Sequence, residues 1–176
     1  MLNQVSNFLE PEVLEALRQK FQDSHGQAVF EVNNMGRWGA GLGTGSYAPV
    51  LVLKLDEYRE YFLAKYKALD PIFEDYNNLI VYMHIWLPGS QINWHHDGPT
   101  TENNFERLSS TIYLTENWNW NWGGLFVYDD PEVGQRWIFP HTNHMVWFEP
   151  PIWHSTTMIT NAAEFPRLSV HLFFYK

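Results

Sequence analysis

The chain turns on Leu79-Ile80-Val81-Tyr82-Met83-His84-Ile85-Trp86-Leu87-Pro88-Gly89-Ser90-Gln91-Ile92-Asn93-Trp94-His95-His96-Asp97. An apolar run breaks at Pro88-Gly89 and resumes to end on two histidines and an aspartate, a pattern that reads as strand, turn and strand. Residues two apart in a strand point the same way, so His95 and Asp97 present an imidazole and a carboxylate on one face while His96 faces the other. Such a pair is two thirds of a facial metal site and needs a second histidine from elsewhere. With 8 histidines in 176 residues the triplet arises easily by chance, so its context has to decide.

Outward from this stretch the strand texture continues. Residues 109–114, 124–128, 136–139, 145–148, 153–159 and 167–175 are short strand-like pieces separated by Gly98-Pro99, Gly123-Gly124, Pro131 and Pro150-Pro151. Many short strands without helices between them predict a sandwich or barrel. The N-terminal half differs. Glu10-Pro11-Glu12 opens a helix, because proline suits the first helical position and acids suit the positive end of the dipole. Val13, Leu14, Leu17 and Phe21 give it one buried stripe. Tyr58, Phe62, Tyr66 and Leu69 predict a second helical region over 56–76, reset at Asp70-Pro71, with its aromatics as core. Ala28-Val29-Phe30-Glu31-Val32 is a candidate strand. The expected fold is α+β but mainly β, one domain over 1–176, with helical support in 1–78 and the β core in 79–176.

Composition narrows the chemistry. Hydrophobic residues make up 45% of the chain and aromatics 17%, enough for a substantial core and against disorder. A net charge of −9 with scattered basic residues argues against a phosphate-backbone partner. There are 0 cysteines, so His, Asp and Glu must carry any metal. The start, Met1-Leu2-Asn3-Gln4-Val5-Ser6-Asn7, has neither the basic start nor the apolar centre of a signal peptide. The longest apolar run falls far short of the ~20 residues a membrane span requires. The expectation is a soluble cytoplasmic protein with no membrane partner. The glycine-rich stretch 36–46 lacks the Gly-Lys-Ser/Thr ending of a phosphate loop and reads as a flexible loop.

The missing histidine must come from the β half, where His141, His144, His154 and His171 are the candidates. His154 stands in the extended segment Trp153-His154-Ser155-Thr156-Thr157. Further on, Arg167 begins an otherwise apolar strand, sharing a face with Ser169 opposite Leu168 and Val170. A buried arginine needs a partner, and its planar fork matches a carboxylate.

In this order, His95-x-Asp97, His154 and Arg167-x-Ser169 resemble the Fe(II)/2-oxoglutarate-dependent oxygenases, and the flanking residues look most like the prolyl 4-hydroxylase-like branch. Supporting matches are Leu87-Pro88-Gly89, Thr111-Ile112-Tyr113-Leu114-Thr115-Glu116-Asn117-Trp118, Gly123-Gly124-Leu125, Asn143-His144-Met145-Val146-Trp147-Phe148, and the opening Val5-Ser6-Asn7-Phe8-Leu9. The resemblance implies a double-stranded β-helix core (jelly-roll or cupin-like) with the N-terminal helices packed on one sheet. It implies Fe(II) ligands His95, Asp97 and His154, with Arg167 on the distal carboxylate of 2-oxoglutarate, Tyr113 donating to it, and Ser169 as a weaker contact. O2 is the further co-substrate and ascorbate an expected stimulant. The implied reaction is hydroxylation of a prolyl or other residue in a protein or peptide, or of a free amino acid, coupled to conversion of 2-oxoglutarate to succinate and CO2.

Three other readings compete. The alkylation-repair branch, which demethylates nucleic-acid bases, carries a further arginine where this chain has Phe173. A non-catalytic barrel module would not need an intact ligand set. A zinc hydrolase could use the same ligands without Arg167. For the substrate, Trp86 and Trp94 beside the metal motif are expected to line the pocket. The polar stretch 98–104 is either a lid or an ordinary connection. On a strand, Trp118-Asn119-Trp120-Asn121-Trp122 would place three indoles on one face, as a platform or as core packing. His96, His141 and His171 read as structural.

Overall fold

A computed structural model of the chain describes residues 2–24, 31–32, 50–97 and 107–176. The expectations for the glycine-rich stretch 36–46, for the stretch 98–104 and for most of the strand at Ala28 lie outside these residues. Two antiparallel sheets form the core. The larger holds seven strands in the order β1 (Leu2–Ser6), β9 (His144–Phe148), β6 (Arg107–Tyr113), β11 (Arg167–Tyr175), β4 (Asn78–Trp86), β3 (Val50–Lys54) and β2 (Glu31–Val32). The smaller holds β5 (Ile92–His95), β10 (His154–Thr156), β7 (Phe126–Asp130) and β8 (Gly134–Ile138), in that order. The fold is mostly β, as the strand pattern predicted, and jelly-roll-like, as the resemblance implied.

Alternation along the strands decides what each face meets. On β11, Leu168, Val170, Leu172 and Phe174 are buried against one side of the large sheet. Val81, Met83 and Ile85 of β4 join them there, packed with Leu14 and Leu17 of α1 (Pro11–Ser24) and Phe62, Leu63 and Tyr66 of α2 (Arg59–Leu69). The helices therefore cover one sheet, as expected. Asp70 ends α2 and its side chain accepts from Ile72 N at 2.9 Å, capping the short 3-10 helix Pro71–Asp75.

The opposite face of β11 carries Arg167, Ser169, His171 and Phe173, and it looks into the sandwich. Registry places Arg167 opposite Trp86, Ser169 between His84 and Tyr113, and His171 between Tyr82 and Thr111. This inner face is polar where a sheet interior is ordinarily apolar. Apolar clusters flank it: Val50, Val52, Trp86, Ile92, Trp118, Trp122, Phe139 and Ile159 on one side, and Tyr113, Phe126, Tyr128, Ile138, Val146 and Phe148 on the other. Buried polar groups require partners, and on this strip Arg167 Nε has none among the described residues.

The segment at Trp118 departs from the strand expectation. Asn119 accepts from Asn121 N at 2.9 Å and the chain turns into the 3-10 helix Trp120–Trp122. Local side-chain bonding of this kind competes with a strand ladder. The three indoles consequently separate. Trp118 and Trp122 are buried edge to face at 5.0 Å, and Trp120 lies over Phe139 at 3.9 Å with 55% of its surface exposed.

Candidate active site

His95 and His154 face each other across the small sheet as a registered pair, with ring centroids 4.2 Å apart. Asp97 follows just beyond β5. Its Oδ1 is 3.8 Å from His95 Nε2 and its Oδ2 3.9 Å from His154 Nε2. One ligand atom from each of the three residues lies within 4.8 Å of the others, close enough to share a metal ion.

The hydrogen bonds prepare these imidazoles as ligands. His95 Nδ1 lies 2.8 Å from the Asn93 carbonyl and His154 Nδ1 lies 2.9 Å from the Ile152 carbonyl. A carbonyl only accepts, so Nδ1 carries the proton and the Nε2 lone pair is left for a metal. Burial, ahead of its neighbours, pushes His154 down to about 4, so it is neutral at ordinary pH. Burial opposes ionisation of Asp97, but His154, Arg107 and His95 together hold its carboxyl below its usual value. Two imidazoles and one carboxylate on one side of a point suit a divalent iron, with the remaining positions free for small ligands.

Arg107 was not anticipated. Its Nη2 donates to Asp97 Oδ1 at 3.1 Å, and its guanidinium lies 5.5 Å from the centre of the Phe173 ring. The signal was available: alternation carried back from Tyr113 through Thr111 and Ser109 puts Arg107 on the same face.

The ligand cluster opens into a cleft of about 510 Å³, part of it open to solvent, whose walls also include Ser109, Thr111, Tyr113, Arg167, His171 and Phe173. Arg167 is 1% exposed and lies over the Trp86 ring at 4.5 Å. Its Nη1 donates to the Gly124 carbonyl, and its Nε has no partner among the described residues. No carboxylate among those residues pairs with it. Burial lowers the guanidinium to about 10, which leaves it charged at neutral pH. Gly124 makes the close approach possible: a Cβ there would sit 3.3 Å from both Arg167 Cδ and Nη1. Tyr113 is also buried, and burial pushes its phenol up to about 12 despite Arg167, so it stays a donor. A wholly buried cation with a bare N–H, beside a neutral phenol, fits the carboxylate of a keto acid.

Other expected residues sit elsewhere. Ser169 is completely buried, its hydroxyl engaged by Trp86 Nε1 at 2.9 Å and His171 Nε2 at 3.0 Å, and it does not border the cleft. Trp86 is completely buried beneath Arg167, and Trp94 points to the outer face of the small sheet with 38% exposed, so neither borders the cleft. His96 packs on Trp153 at 4.9 Å on that outer face. His144 bonds Gln4 Oε1 at 3.0 Å and lies 3.2 Å from Ser6 Oγ, away from the metal ligands. His171, read as structural, lines the cleft.

Residues 79–175 match the family model described as the 2OG-Fe(II) oxygenase superfamily. No curated protein matches the sequence. Among solved structures, the chain is similar to a prolyl-4-hydroxylase from Pseudomonas putida, with 15% identity, a TM-score of 0.79, and coverage of 99% of this chain and 92% of that one. It is similar to a prolyl hydroxylase from Trichoplax adhaerens in complex with a hypoxia inducible factor oxygen degradation domain peptide fragment, with 17% identity, a TM-score of 0.76, and coverage of 99% and 83%. A third likeness is to SnoN, a non-heme alpha ketoglutarate dependent epimerase from nogalamycin biosynthesis, with 14% identity, a TM-score of 0.69, and coverage of 99% and 78%. At these identities the likeness shows a shared fold, and hydroxylases and an epimerase share it.

Proposed function

We propose, for a chain that belongs to the 2OG-Fe(II) oxygenase superfamily, that it hydroxylates a prolyl or other residue of a protein or peptide, or a free amino acid. The observation that carries this reading is the pairing of two features in one cleft: the His95, Asp97 and His154 cluster, and the buried Arg167, which no carboxylate among the described residues pairs. His95 Nε2, His154 Nε2 and Asp97 would hold Fe(II). Arg167 would pair with the distal carboxylate of 2-oxoglutarate, with Tyr113 donating its phenolic proton to the same group. When bound, iron, 2-oxoglutarate and O2 supply an oxidation of a substrate C–H bond coupled to formation of succinate and CO2, with ascorbate as a supporting reductant.

The chain's own work is to bind, orient and exclude water. The Asn93 and Ile152 carbonyls fix the ligand tautomers, and Arg107 fixes the Asp97 carboxylate. Phe126 stacks on His154 at 5.2 Å and Phe148 meets it edge-on at 5.0 Å, which keeps that ring in one orientation. A peptide substrate agrees with the peptide seen on the Trichoplax adhaerens neighbour. Phe173 and a net charge of −9 weigh against nucleic-acid demethylation.

The test is a panel of prolyl-containing peptides, other peptides and free amino acids, read by succinate release and by gain of one oxygen atom in the product. Stoichiometric succinate and hydroxylated product are expected. Formaldehyde release from methylated nucleic acid, with no hydroxylated amino acid across the panel, would overturn the proposal.

A further inference from the structure

On β6, Thr111 shares the inner face with Tyr113 and borders the cleft, yet the reading above gives it no task. Its hydroxyl ends a hydrogen-bonded row that crosses three strands. Trp86 Nε1 donates to Ser169 Oγ at 2.9 Å. Ser169 Oγ lies 3.0 Å from His171 Nε2, and His171 Nδ1 lies 3.3 Å from Thr111 Oγ1.

The first member sets the direction of the row. An indole N–H can only donate. Ser169 Oγ therefore accepts a hydrogen bond from Trp86 and must place its own proton. The Ser169 hydroxyl is 0% exposed, and buried hydroxyls do not leave a proton unpaired. Within the row the acceptor is His171 Nε2. Nδ1 then carries the ring proton, a tautomer assigned from the network, and donates it to Thr111 Oγ1. Thr111 Oγ1 then accepts from His171 and keeps its own O–H to donate, at a position that borders the cleft. The opposite tautomer would give Ser169 two donors and its own proton no acceptor in the row.

Stacking and burial hold His171 in this state. It is stacked on His84 at 4.0 Å with 24° between the rings. Burial, then His84 and then Arg167, keeps it well below the ordinary histidine value, so one nitrogen remains an acceptor.

We infer that Thr111 is a further ligand-binding residue, its hydroxyl aimed by the Trp86–Ser169–His171 row to donate a hydrogen bond to an anionic oxygen of bound 2-oxoglutarate. This rests on the reading of the cleft as a 2-oxoglutarate site. It gives Ser169 a different task from the one the resemblance implied: it orients the row and does not touch the ligand.

The test uses Thr111→Val and Thr111→Ser in the full chain with Mn(II) in place of iron, titrating Mn(II) and then 2-oxoglutarate by calorimetry. Thr111→Val should bind 2-oxoglutarate about tenfold or more weakly, the size of one hydrogen bond to a charged group. Its Mn(II) affinity should equal the parent's, and Thr111→Ser should keep the parent's 2-oxoglutarate affinity. Unchanged 2-oxoglutarate affinity in Thr111→Val, with Arg167→Ala still weakening it, overturns the role of Thr111 and leaves the site reading intact. No binding to the parent overturns both. Nitrogen-15 shifts of the His171 ring give an independent readout: a protonated Nδ1 and bare Nε2 are expected, and the reverse overturns the direction of the row.

Discussion

Replacing Arg167 by methionine separates what this residue does for the fold from what it does for a ligand. Without ligand it is a buried cation that no described carboxylate neutralises, and such a charge carries a penalty of several kcal/mol. Two contacts offset that penalty. The hydrogen bond from Nη1 to the Gly124 carbonyl contributes about 1.5–3 kcal/mol as a charged donor. The contact with the Trp86 ring at 4.5 Å adds about 2 kcal/mol when desolvated. The contributions nearly cancel. Methionine fills most of the same space, so Arg167→Met should change the stability of the ligand-free protein by at most about 2 kcal/mol, or about 4–8 °C in melting temperature. A broken ion pair would instead cost about 3–5 kcal/mol. Ligand response should differ sharply. At a hundredfold excess over Kd, 2-oxoglutarate stabilises the Mn(II)-loaded parent by about 2.7 kcal/mol. That is about 5–11 °C, and the variant should show none of it. Thermal melts with and without 2-oxoglutarate read both quantities. A ligand-free loss above about 3 kcal/mol, or a retained ligand shift, refutes the reasoning.

Further consequences can be checked separately. Arg107→Met removes the donor on Asp97 Oδ1 at 3.1 Å, and Mn(II) affinity should fall about 10–100-fold; an unchanged affinity contradicts the role of Arg107. Gly123 has φ +70 and ψ −145, and a Cβ there would lie 2.0 Å from the Met158 carbonyl oxygen. Gly123→Ala should therefore cost about 3 kcal/mol or more in urea unfolding, and a loss below about 1 kcal/mol contradicts that geometry. Glu10 is held down to about 2 from 4.5, first by the hydrogen bond from Lys65 and then by that from Tyr61. A carboxyl lowered on folding adds stability that is present above pH 4.5 and lost as pH falls toward 2. Its side chain is 53% exposed, so screening leaves about 1 kcal/mol or less. The stability gap between parent and Glu10→Gln should close across that acid range, and a gap that persists at pH 2 contradicts the assignment.

Much of this architecture is legible from residue order, because strand alternation and turn residues are local signals. They place the β-strands from Asn78 onward and the two helices within a few residues. Two strands of the large sheet escaped. Leu2–Ser6 alternates weakly and is held by pairing with His144–Phe148, a long-range contact that local pattern does not carry. Val50–Lys54 is short and apolar and takes its place only by pairing with β4. At the site, His95 and Asp97 are legible because two-residue spacing on a strand is itself geometry, Arg167 because it is a charge opening an apolar strand, and His154, one of four candidate histidines, through the family resemblance. Arg107 was missed because the strand was taken to begin at Ser109, which hid a charge on the inner face. Trp86 and Trp94 were assigned to the cleft from their nearness to the metal motif, whereas alternation turns Trp94 outward and Arg167 covers Trp86. Ser169 and His171 share a face with Arg167 as alternation requires, but which of them reaches the cleft depends on neighbouring strands in the sheet.

The central claim is that His95, Asp97 and His154 hold iron in a cleft that Arg167 makes a 2-oxoglutarate site. Adding Fe(II) and then 2-oxoglutarate in the absence of oxygen should produce the weak visible charge-transfer band of a chelated keto acid. His154→Ala should abolish that band, and Arg167→Ala should shift its appearance to much higher 2-oxoglutarate while leaving iron binding intact. No band in the parent, or an undiminished band in His154→Ala, would contradict the claim.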